Sequence, residues 1–361
     1  PSALHAVRFD GHVYGLPLSL KSVALYYNRK LVPVPPATTD DLVRIAVAQT
    51  DRAQQRFGLA YPVNDFYFHA AWLTGFGGAI FQPDHTIKLD TPEAVNALEF
   101  VRDLALVKKV IPEAPSATLV PSLFPAGPAA MVISGPWLAG ELHGVDYGVA
   151  SLPLVSATGK PMRPLLTVES AMVSAYANSP AGARALARFL VSRNAAIVRA
   201  LVGRQVVATR SAYTDPRVGK DPVLSAFSRQ AEQALPMDNT PAMGAVWEPE
   251  KRALTAVISG ALSPQDALAQ AQRRLLASTR APPPVQNPIP YVMALLILIT
   301  AAVVWVRRRI RGSRRSLPAV FDVGGKAYAY VAPAAAGLLV LVFIPFAAGM
   351  GLSFFHHQEG Q

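Results

Sequence analysis

The sequence contains no cysteine, which excludes a disulfide scaffold, a zinc–thiolate site and a cysteine nucleophile. It also suits an oxidising compartment. Charge is scarce: Asp, Glu, Lys and Arg make up 16% of 361 residues, well under the roughly 25% of an ordinary soluble domain. Hydrophobic residues reach 51% and the mean hydropathy is +0.27. So apolar a chain can bury a core, which excludes disorder, and the excess points to a membrane. Reaction signatures are missing too. There is no H-E-x-x-H, and Gly324–Gly325–Lys326 lacks both the leading Gly and the trailing Ser/Thr of a phosphate-cradling loop. Ser134, in Ser134–Gly135–Pro136, lacks the G-x-S-x-G frame of a nucleophile elbow. The seven His are scattered, and His356–His357 has no third ligand beside it. No catalytic constellation, cofactor or metal is expected, and binding fits better than catalysis.

The formal charge of +11 is unevenly placed. Between Arg307 and Lys326, six Arg and one Lys face Asp322 alone. Upstream there is no basic stripe with interleaved aromatics, so nucleic acid is not expected as a partner. The Arg run instead lies between two uncharged apolar segments, Ile289–Val306 and about Ala327–Leu352. A membrane span needs about 20 apolar residues, with ~17 as a lower limit, so both segments are expected to be transmembrane helices. Tyr291 and Trp305 would anchor the first at the interfaces, and Pro333 and Pro345 are tolerable in the second. The basic stretch 307–326 then marks the cytoplasmic side. Residues 1–288 would face outward, and 353–361 would begin a further outer segment. The Pro-rich stretch 281–290 reads as a semi-rigid linker. Export of residues 1–288 also leads one to expect a signal or earlier span ahead of Pro1.

Residues 1–288 alternate strand-like and helix-like pieces. His12–Leu18, Val23–Asn28 and Ala129–Ser134 read as strands. Helix starts are expected at Thr38, Thr91–Pro92–Glu93, Ser179–Pro180, Thr240–Pro241 and Ser263–Pro264. The helix from Ser179 is expected to run through Leu201 with Leu186, Leu190 and Val198 inward. The pattern argues an α/β domain with crossover connections. Aromatics stand at element ends: Tyr26–Tyr27, Phe66–Tyr67–Phe68, Trp72, Trp137 and Trp247. Flat aromatic faces suit the apolar C–H faces of sugar rings, and Asp65 beside them could take hydroxyl hydrogen bonds. Trp137 stands out because it follows Gly135–Pro136, where a strand ends, rather than lying in a periodic run.

The motif order Val7-Arg8-Phe9-Asp10-Gly11, Tyr14-Gly15-Leu16-Pro17, Ala24-Leu25-Tyr26-Tyr27-Asn28 and Pro35-Pro36-Ala37-Thr38 resembles maltose-type extracellular solute-binding proteins of ABC importers. The resemblance continues through Phe124–Gly127, Ala130–Trp137, Tyr147-Gly148-Val149 and Pro153, and covers roughly residues 5–280. It implies a two-lobe periplasmic-binding-protein (type II) fold lacking its N-terminal segment, followed by the two transmembrane α-helices. Residues 1–280 would then hold a partial first lobe and a second lobe made mainly of 24–165 and 222–280. Chain crossings between the lobes would lie near Pro17–Lys21 and Leu165–Glu169. The resemblance makes Tyr67, Trp137 and Trp247 sugar-stacking residues and Asp65 a hydroxyl-binding acid. Lys21 departs from it, because an acid is common there in maltose binders. Tyr328–Pro333, Phe343–Pro345 and Leu352–Phe355 resemble the first span of a sugar importer permease. The implied whole is an oligosaccharide-binding domain fused to a permease and multi-pass in the bacterial inner membrane. Its partners would be a second permease subunit and separate ATP-binding subunits. A sensor feeding a signalling module is an alternative. A carbohydrate hydrolase is another, and would need two carboxylates about 5–10 Å apart across a cleft.

Overall fold

The structure, a computed structural model, describes residues 2–113, 119–280, 289–313, 333–334, 337–338, 341–342 and 344–353. The chain divides into two compact units, Pro1–Thr279 and Arg280–Gln361.

The first unit holds two four-stranded sheets. One begins with β1 (Gly15–Lys21), and only Ser22 and Val23 separate it from β2 (Ala24–Asn28), which belongs to the other sheet. The second sheet adds β3 (Phe57–Ala60), β4 (Ala129–Ser134) and β5 (Tyr147–Ala150) in the order β3-β4-β2-β5. β4 runs antiparallel to β2, with Tyr26 opposite Val132, and parallel to β3, with Leu59 opposite Met131. β4 is buried at every position because both faces of the sheet are covered, as its unbroken apolar sequence requires. Leu25, Leu59, Met131 and Ile133 meet α1 (Thr39–Gln49), α2 (Phe66–Gly75) and α3 (Pro92–Arg102) on one side. Tyr26, Ala60 and Val132 meet Phe124, Leu138 and Phe227 on the other.

The first sheet is completed by β6 (Leu165–Met172), β7 (Val206–Val207) and β8 (Leu235–Pro236) in the order β7-β1-β6-β8. β6 is antiparallel to β1, setting Lys21 opposite Thr167 and Ser19 opposite Glu169, with a register shift just after Glu169. The two segments where crossings are expected are therefore hydrogen-bonded neighbours. Helices α4 (Pro180–Leu190), α5 (Arg193–Leu201) and α6 (Pro222–Gln233) follow, then α7 (Trp247–Ile258) and α8 (Pro264–Ser278). α7 and α8 pack with Phe66 and Leu98 in a further apolar cluster.

Several helix starts form as the sequence predicts. Thr38, Thr91, Ser179 and Ser263 each accept a backbone N–H of the first turn, satisfying a donor that the helix leaves open. Others differ. The single helix expected over 179–201 is two, because Ser192 caps a new start by accepting from Ala195. The break resets the helical phase: Ala187, Ala196, Ile197 and Ala200 turn inward, while Leu186 and Val198 are exposed and Leu190 is half-buried. Thr240 makes no side-chain cap, and Pro241–Gly244 is one turn only. The strand expected over His12–Leu18 is two elements, because His12–Val13 pairs with Arg8–Phe9 in its own hairpin.

In the second unit, α9 (Ile289–Ser313, 25 residues) runs past Val306 through Arg307, Arg308, Arg309 and Arg311, so the basic stretch begins as helix rather than loop. α10 spans Ile344–Ser353. Among the described residues no helix is long and apolar enough to cross a membrane; several side chains of α9 fall outside that description. Neither expected span is confirmed. Residues 281–288 of the linker, 314–326 of the basic stretch, 327–332 of the second apolar segment and 354–361 lie outside the described residues.

Candidate functional site

Three of the four expected site residues converge. Asp65 is the N-cap of α2, its Oδ1 accepting the Tyr67 N–H at 2.9 Å. Among the described residues its Oδ2 has no hydrogen-bond partner, which leaves one carboxylate oxygen for a ligand. Tyr67 is thereby held in the first turn of α2, and its hydroxyl donates to the Lys21 carbonyl at 3.2 Å. Burial pushes the Tyr67 phenol up to about 12, against a smaller lowering by Thr167. It therefore stays neutral and keeps its hydrogen at ordinary pH.

Trp137 sits on the short turn Pro136–Gly140 that follows β4. A Cβ placed on Gly135 would lie within 2.0–2.4 Å of three atoms of the Trp137 six-membered ring, so the indole packs against a residue that must lack a side chain. The Gly135 carbonyl is pinned by the Tyr26 hydroxyl at 2.8 Å. Trp137 is 38% exposed, unlike Trp72, which is fully buried and has no outward face to offer. Asp65, Tyr67 and Trp137, with Pro62, Phe68, Val120, Pro121 and Ser134, line a cavity of about 300 Å³. That is the lower end of the range of ligand pockets, and its composition is of their kind, aromatic and apolar with a few polar groups.

The crossing strands β1 and β6 bring a charged pair near the Trp137 ring. The Lys21 ammonium lies 6.0 Å from the Trp137 ring centroid and ion-pairs with Glu169 Oε1. Glu169 Oε2 accepts from the Ser19 hydroxyl at 2.5 Å. Burial disfavours the Glu169 carboxylate, but hydrogen bonds from Lys21 and Ser19 outweigh it and hold the carboxyl below its ordinary range.

Trp247 does not line this cavity. It is the first residue of α7, and its ring stands edge-on to Phe66 at 5.9 Å, partly buried in the cluster of α7 and α8. Pro62, Val120 and Pro121 carry no chemical signature that would have nominated them, whereas Lys21 was marked only by its unexpected charge. A larger hollow of about 910 Å³ lies over β1 and β7, lined by Leu4, Pro17, Leu20, Val206 and Tyr213 among others. Tyr213 spends its hydroxyl on the Val207 carbonyl at 3.2 Å, and no aromatic pair faces this hollow. It is the weaker candidate despite its size. Among the described residues no three His, Asp or Glu side chains gather where a metal could bind.

The family profile of bacterial extracellular solute-binding proteins matches residues 1–197. The chain belongs to that family. This solute-binding protein is 31% identical over 257 residues to the maltotriose-binding protein of Pyrococcus abyssi, across 68% of its own length and 55% of the relative's. It is 28% identical to the galactooligosaccharide-binding protein of Bacillus subtilis, across 75% of its length and 67% of the relative's. The chain thus spans about half the length of the Pyrococcus relative it matches. Its fold superposes on a cyclo/maltodextrin-binding protein complexed with maltotetraose, with a TM-score of 0.69, 33% identity, and coverage of 78% of this chain and 74% of that one. The two-lobe α/β solute-binding architecture is therefore established. These relatives are solute-binding proteins, not enzymes.

Proposed function

We propose that residues 1–280 bind a maltodextrin-type oligosaccharide in the cavity of Asp65, Tyr67 and Trp137 and deliver it to an ABC importer. The observation that carries this reading is the convergence of an open indole face, a second aromatic and a half-free carboxylate in one cavity. It occurs in a chain whose relatives are named for maltotriose and galactooligosaccharide. The indole face packs against the C–H face of a pyranose, and the free Asp65 oxygen accepts from its hydroxyls. Trp247, joined to the start of α2 through Phe66, is proposed as an outer contact for longer chains. Loading closes the lobes by bending at Ser22–Val23 and along β6, and separate subunits hydrolyse ATP.

Support for a membrane tether lies in the sequence: Ile289–Val306 carries no charge and runs into the Arg cluster, and 327–352 is again uncharged. In this reading the first apolar segment anchors the domain in the bacterial inner membrane, with 1–288 outside and 307–326 inside. The second begins a fused permease that works with a second permease subunit. Fusion would raise the local concentration of loaded domain to the order of mM, set by linker reach.

Calorimetric titration of the full chain with maltotriose and with a galacto-oligosaccharide tests the binding. Absence of heat with both at millimolar sugar refutes it. For the tether, protease added to intact spheroplasts should release the N-terminal domain and leave the Arg cluster protected. The reverse pattern refutes the orientation.

A further inference from the structure

Lys21 meets two of the cavity's aromatics, Tyr67 and Trp137, by different atoms. Its carbonyl accepts the Tyr67 hydroxyl at 3.2 Å, and also that of Thr167 at 3.4 Å, while its ammonium faces the Trp137 ring at 6.0 Å. The ammonium is held from behind by Glu169, which Ser19 holds in turn, across the β1–β6 pair. Toward Gly135 the indole has no slack, because its six-membered ring approaches at a distance that admits no Cβ.

We infer that Lys21 and Gly135 are positioning residues that fix the pose of the Trp137 ring, with Glu169 aiming the Lys21 ammonium. The inference rests on Trp137 being the sugar platform only for its consequence in binding; the ring pose itself does not depend on that reading. A cation at about 6 Å from an indole face is attracted by the negative face of the π system, and an acid there would be repelled. An acid at position 21 would also stand beside Glu169 as a second carboxylate. The cation thus makes the hinge strands part of the site: a shift of β1 against β6 moves the ammonium, and with it the ring that meets the ligand.

The test uses the full chain and the tryptophan indole N–H resonances, with Trp137 assigned by loss of its signal in Trp137→Phe. Lys21→Met keeps the aliphatic stem and removes the charge; it should move the Trp137 resonance in the sugar-free protein and weaken maltotriose binding roughly two- to fivefold. Lys21→Arg should restore both. Glu169→Gln should move the same resonance less. Gly135→Ala should displace the ring outright and weaken binding more than tenfold. A Trp137 resonance unmoved by Lys21→Met, or moved equally by Lys21→Arg, overturns the inference. If neither wild type nor any variant binds maltotriose, the sugar reading fails, while the sugar-free spectra still decide whether Lys21 and Gly135 set the ring pose.

Discussion

Replacing Trp137 by Ala removes the platform, and because the side chain is only 38% exposed the change also costs folding stability, which is measured separately. A tryptophan side chain presents up to about 250 Å², so the face open to a sugar is roughly 90 Å². At ~25 cal/mol per Å² that face contributes about 2.3 kcal/mol when a pyranose covers it, or roughly 50-fold in affinity. Trp137→Phe keeps a flat ring and should lose much less. Isothermal titration of maltotriose into wild type and both variants reads the effect directly, with thermal unfolding as the control for folding. A loss under threefold in Trp137→Ala, measured at a temperature where the variant is fully folded, would refute the stacking argument. So would equal losses in the Ala and Phe variants, since the flat ring would then not be what the ligand uses.

Glu250 on α7 is buried, and burial raises its carboxyl from 4.5 to about 8. A raised acid favours the folded state while protonated, so this stability is complete below about pH 4.5 and is lost as pH rises through 8, on the order of 5 kcal/mol. Glu250→Gln should flatten the fall in Tm between pH 5 and pH 8; wild type and variant falling in parallel would contradict this. Asp221 caps α6 through the N–H groups of Val223 and Leu224 and pairs with Arg204 through both oxygens. Asp221→Asn should cost about 2 kcal/mol in urea unfolding and Asp221→Ala about 3, the difference being the cap. Gly58 lies against the backbone of Ala46, where a Cβ has no room. Gly58→Ala should therefore lower stability by about 3 kcal/mol or more by pushing α1 off β3, and an unchanged urea midpoint would show that the helix yields freely.

Elements with local signals were legible before the structure. Thr38, Thr91, Ser179 and Ser263 announce helix starts because a short polar side chain next to an apolar period has one obvious use. β4 reads as a strand because Ala129–Ile133 is an unbroken apolar run that Gly135–Pro136 ends. Thr240–Pro241 carries the same signal and yields one turn, since nothing in a cap dictates how far packing will carry the helix. The inward face of 179–201 differs from the one its spacing predicts because Ser192 resets the phase, and a 3.6-residue period does not show where it restarts. In the site, Asp65, Tyr67 and Trp137 were visible as aromatics and an acid at element ends. Their convergence depends on β3 pairing parallel with β4, which brings the start of α2 beside the turn after β4, and no local pattern encodes that pairing. Trp247 looked equivalent in sequence but turns to Phe66, because α7 packs on α2 rather than over the cavity. Trp72 looked similar too, and the core claims it entirely. Glu250 and the buried His69 were silent, since an ionisable residue on an amphipathic helix looks the same whether it faces water or the core.

The tryptophan indole spectrum of the full chain, recorded as maltotriose is added, puts the central claim to its most direct test. The chain has four tryptophans, of which Trp72 is sealed in the core and Trp137 stands at the cavity. The account predicts a saturable shift of the Trp137 resonance with Trp72 essentially still. A titration in which Trp137 stays fixed while binding is complete would place the sugar elsewhere and contradict it.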